Sequence, residues 1–207
     1  MIKSINKEGK SYFNIPFACE LIEKPPDYVL DKCKDFDANI LNSEDLRAFR
    51  EEMKIGQNNP PEYLELEKQI TSSVYFVCTF KLHDYQAMSA VSFNFINDIA
   101  AECVISLGRP DDIARYSSEY SVFRLVLSSL EQIYHNGRIQ QDTPDNRVCT
   151  WKKDNKMLVS FVSRYQPNGQ FLGIQIRGIQ AHPWGRDLDT LYIKARKYVK
   201  DIKWMTE

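Results

Sequence analysis

The sequence predicts an α+β fold: an antiparallel sheet of about five strands with helices packed mainly on one face. Three observations carry this expectation. Val74, Phe76, Cys78, Phe80 and Leu82 alternate with Tyr75, Val77, Thr79 and Lys81, a period of two that belongs to a strand. Residues 147–178 repeat that period three times around turn-forming sequence, which makes a β-meander. Between these, apolar residues recur at spacings of three and four, as an amphipathic helix requires.

Taken in order, residues 1–70 read as mostly helical. Pro26 suits a first helical turn and opens a helix running to Lys34. Ser43 is a good N-cap for a helix carrying Leu46, Phe49 and Met53 inward. Asn58-Asn59-Pro60-Pro61 breaks the chain, and Glu62 to Ile70 resumes a helix. The strand over 74–82 is apolar on both sides, which predicts an interior strand covered on two faces. Val91, Phe93 and Phe95 alternate with Ser92 and Asn94 as a second strand, with a helix from Gln86 as the competing pattern.

Asp98 is placed to cap a helix whose stripe is Ile99, Cys103, Val104 and Leu107, ended by Gly108. A longer helix is predicted from about Ser118 to His135, ended by Asn136-Gly137, and residues 138–146 read as a loop. Strands follow at 147–153, 157–165 and 172–177, with Gln166-Pro167-Asn168-Gly169 as the second hairpin turn. A last helix is predicted over 187–203, with Leu188, Leu191, Ala195, Tyr198 and Ile202 inward. The whole of 1–207 is expected to form one globular domain.

Composition bounds the function. With 43% hydrophobic and 27% charged residues, the chain is neither disordered nor fibrous. A chain of 207 residues buries roughly 70% of its unfolded surface, so it needs no metal or disulfide to fold. No run of 18 apolar residues predicts a membrane-spanning helix. The polar N-terminus points to a cytoplasmic protein; the alternative is an exported one from which a leader has been removed. Cys19, Cys33, Cys78, Cys103 and Cys149 are dispersed and read as reduced core residues. A Cys19–Cys33 disulfide is the expectation for the exported case.

Motifs for chemistry are weak. His83, His135 and His182 show no metal-ligand spacing, and no phosphate-binding glycine loop occurs, so no cofactor or metal is expected. Cys103 or Cys149 with a histidine and Asp142 or Asp145 would be the parts of a hydrolase, but nothing local marks them. Charge is the one uneven feature. Residues 1–146 hold 15 Lys/Arg and 23 Asp/Glu, whereas residues 147–207 hold 12 and 5. Lys152, Lys153 and Lys156 gather at one hairpin end, and Trp184 sits in a Pro-Trp-Gly break as a core lid or an interface anchor. These four residues are the expected contacts to an acidic protein partner. The expected function is a non-enzymatic protein-binding domain, of the inhibitor or immunity type. A Cys/His hydrolase is the first alternative. A nucleic-acid-binding accessory domain, with Phe161, Tyr165 and Phe171 as stacking aromatics, is the second.

Overall fold

A computed structural model describes residues 4–5, 11–52, 65, 68–108, 119–143, 146–166 and 169–194. The short strands β1 (Ser4–Ile5) and β2 (Ser11–Tyr12) pair with each other. Helices α1 (Ile15–Leu21) and α2 (Pro26–Cys33) follow, then a turn of 3-10 helix at Lys34–Phe36. Strand β3 (Asn39–Asn42) leads directly into α3 (Ser43–Glu52). The side chain of Asn42 accepts hydrogen bonds from the Glu44 and Asp45 amides, so Asn42 caps this helix and not Ser43.

Three long strands come next: β4 (Ser72–Leu82), β5 (Tyr85–Ile96) and β6 (Ile99–Ser106). After α4 (Glu119–Tyr134) come β7 (Arg138–Thr143), β8 (Asn146–Lys153), β9 (Met157–Gln166) and β10 (Gly169–Gly178). Helix α5 (Gly185–Lys194) is the last described element.

The sheet is antiparallel and has eight strands in the order β3-β4-β5-β6-β10-β9-β8-β7. The expectation of about five strands is therefore too low. Each half of the order is a four-stranded run laid down in chain sequence, and the halves meet where β6 pairs with β10.

Residues directly opposite on antiparallel strands share a face, so the register lays out the core. Phe76, Val91, Ile105, Ile174, Phe161 and Cys149 form one row across six strands, and all are buried. Val74, Phe93, Cys103, Ile176, Val159 and Trp151 form the neighbouring row, each fully buried. Val29 of α2, Phe36, and Val126, Leu127 and Leu130 of α4 pack into this same core.

The opposite face is also covered, in part. Leu46 of α3 joins Ile70, Ile96 and Ala101 in a second apolar cluster, and Lys152 of that face is ion-paired to Asp189 of α5. Helices thus lie on both faces, which corrects the one-face expectation. Toward the β4–β5 hairpin the second face is open: Val77 and Met88 are about half exposed. From Val77 to Lys81, strand β4 is therefore covered on one side only.

Two further segments differ from expectation. Residues 99–106 form β6 and not a helix. Asn97 and Asp98 both have left-handed backbone, at φ 51 and 58, and close a two-residue hairpin where a helix cap was expected. Residues 138–143 form β7, an edge strand with a register irregularity between Ile139 and Gln141. Its polar sequence hides the strand period. The predicted helix over 62–70, the turn residues Pro167 and Asn168, and the helix beyond Lys194 lie outside the described residues, Glu65 and 68–70 apart. Within α5, Leu191 is exposed at 55%, contrary to the inward position expected of it.

Candidate functional site

The second face carries a buried polar row where strand burial would favour apolar residues. Ser73, Asn94, Glu102 and Arg177 stand opposite one another on β4, β5, β6 and β10. All four are buried. The Ser73 hydroxyl donates to Asn94 Oδ1 at 3.1 Å, and Asn94 Nδ2 donates to Glu102 Oε2 at 3.1 Å. Arg177 Nε lies 2.7 Å from Glu102 Oε1, and its Nη2 donates to Gln175 Oε1 at 2.7 Å. The ion pair thus spans the junction of the two halves of the sheet.

Burial pushes the Glu102 carboxyl up, but Arg177 beside it and the Asn94 amide outweigh that and hold it below the ordinary carboxylate value. It is an anion with a partner on each oxygen.

His182 closes this row from the loop after β10. Its amide donates to Gly178 O at 2.9 Å, and its carbonyl accepts from Gly185 N at 2.8 Å. Only glycine fits at 185, because a Cβ there would lie 2.3 Å from the Ile179 carbonyl oxygen. The imidazole is 3% exposed, and its Nδ1 accepts from the Trp184 amide at 3.2 Å. Burial lowers the ring's pKa to about 4, opposed by Glu102 and reinforced by Arg177. It is therefore neutral at physiological pH.

Further along this face, the Thr150 hydroxyl lies 2.9 Å from Gln140 Oε1 and 2.8 Å from Ser160 Oγ, beneath α5.

The predicted contact residues are dispersed. Lys152 is largely buried and sits 2.8 Å from Asp189. Lys153 follows it on the strand, points to the opposite face, and acts on the buried Cys19 thiol. Lys156 is exposed in the β8–β9 turn. Trp184 is half-buried against the second apolar cluster, edge-on to His182 with ring centres 6.0 Å apart. Of the aromatics, Phe161 is core and packs on Phe123 at 4.9 Å, and Phe171 lies over Gly173.

All five cysteines are free and buried, Cys19 and Cys33 included. Desolvation raises the Cys19 thiol to about 11 and Cys78 to about 12, and holds Cys103 and Cys149 well above their ordinary value. Among the described residues no three His, Cys, Asp or Glu side chains gather as a metal site, and no helix is long and apolar enough to cross a membrane.

Sequence reasoning missed the Glu102–Arg177–His182 cluster. The available signal was a lone acid inside Ile99-Ala-Ala-Glu-Cys-Val-Ile and a lone arginine closing Ile174-Gln-Ile-Arg; taken as a helix, the first segment sends its glutamate to solvent. Comparison of the chain with known protein families, curated proteins and solved structures finds no match.

Proposed function

We propose that this chain is a non-enzymatic protein-binding domain, of the kind that neutralises a partner by covering it. The observation that carries the reading is the open part of the second sheet face. Val77 and Met88 are exposed at 51% and 52% on adjacent strands, and the Thr79 hydroxyl touches the Met88 sulfur at 3.5 Å between them. Half-buried Tyr75, Ala90, Ser92 and Val104 continue the surface. An exposed apolar area with a polar surround is where partners bind, and methionine adapts to the shape it meets.

The cysteine chemistry also favours binding over a Cys/His hydrolase. Thiols this deeply buried are protonated and poor nucleophiles. Of the predicted basic contacts, Lys156 is the exposed one, with no ion pair among the described residues, so an acidic partner would meet it at the rim.

The test is capture of the natural partner by wild-type protein and by V77E/M88E, with K156E as a separate arm. Loss of a stoichiometric partner in the double variant supports the reading, and a slower, salt-sensitive association in K156E places the acidic contact. Equal capture by wild type and V77E/M88E refutes this face as the interface.

A further inference from the structure

We propose that His182 is an acid-operated latch: protonation at Nδ1 releases Trp184 and the start of α5 from the sheet while the main core stays folded. The inference is independent of the binding role and rests on hydrogen-bond polarity. Nδ1 accepts from the Trp184 amide, so the neutral ring carries its proton on Nε2. An imidazolium has N–H on both nitrogens. Its new Nδ1–H would face the Trp184 N–H, donor against donor, and that bond is lost.

The surroundings cannot absorb the charge. Among the described residues, the charged groups facing the ring are Glu102 from β6 and Arg177 from β10. Glu102 is already engaged by Arg177 at 2.7 Å and by Asn94 at 3.1 Å. On another side the ring meets Trp184, which itself packs on the apolar cluster of Leu46, Ile96 and Ala101. Opening the loop is the route by which the ring takes a proton in water.

What opens is small and separable. Trp184 belongs to the second cluster, apart from the main core, so the segment is suited to local rather than global opening. The ring titrates at about 4 when closed and at its ordinary 6.5 when released. The ratio of open to closed molecules therefore rises about 30-fold between pH 8 and pH 5.

Amide hydrogen exchange on the full chain at pH 8 and pH 5, corrected for the intrinsic rate, tests this. Protection over 180–194 should fall about 30-fold while β9 keeps its protection. His182→Asn retains an acceptor for the Trp184 amide but cannot be protonated, so its 180–194 protection should be independent of pH over this range. Should that variant fold poorly, direct NMR titration of the His182 imidazole in wild type, against exposed His83 and His135, must give a midpoint far below 6.5. Unchanged protection in wild type overturns the latch. So does an equal loss in β9, which would be global unfolding, or a wild-type-sized loss that survives in H182N, which would belong to another group.

Discussion

Arg177 and Glu102 illustrate how a buried charge constrains its neighbours. Removing the guanidinium leaves a carboxylate stranded between two central strands, so Arg177→Met should cost about 3–5 kcal/mol in chemical denaturation. Replacing both, as E102Q/R177M, should recover much of that loss, because no unpaired charge remains. Additive losses in the double variant would show that the pair matters only for its packing. The sign of the pH effect follows: the Glu102 pKa is depressed in the folded state, so its contribution is present above the ordinary 4.5 and disappears as pH falls below it. At the same scale, burial predicts that thiol reagents label the native protein slowly at all five cysteines and rapidly in denaturant. Fast native labelling of Cys78 or Cys103 would contradict the packing.

Strands and helices show which signals in the sequence were decisive. Lys152 ties β8 to α5 through Asp189, a largely buried contact at 2.8 Å. Lys152→Glu should lower the melting temperature, costing about 1–3 kcal/mol, whereas Lys156→Glu at the exposed turn should change stability by under about 0.5 kcal/mol. Equal melting of the two variants would refute the tie. The β5–β6 turn makes a second case. Asp98→Val puts a β-branched residue at a left-handed position and should cost about 1–2 kcal/mol, while Asp98→Gly should be near neutral. That turn was legible as Asn97-Asp98, but Ile99, Cys103 and Leu107 also satisfy a helical spacing. A strand buried on both faces has no alternation to reveal it. β4 was readable because one of its faces is wetter than the other, and the β8–β10 meander because Asp154-Asn155 and Pro167-Asn168-Gly169 punctuate it, although β9 itself is buried on both faces. β7 was not, since an edge strand broken by a bulge carries polar residues on both sides.

For the whole molecule, composition and period gave the mixture of helix and antiparallel sheet. They could not give the strand order, because pairing between β6 and β10 joins residues such as Glu102 and Arg177 that are far apart along the chain. The candidate site failed to show for the same reason: its members come from β4, β5, β6, β10 and a loop, and only the register brings them together. The arrangement of the two four-stranded runs has a practical consequence. No strand of either run is threaded into the other, so covalent continuity between β6 and α4 is not needed to specify the sheet. A chain severed between residues 108 and 119 should therefore reassociate from its two pieces, as a split reporter does. The reassembled β6–β10 junction would regain slow amide exchange, and R177M would weaken the association of the pieces more than it weakens the intact chain.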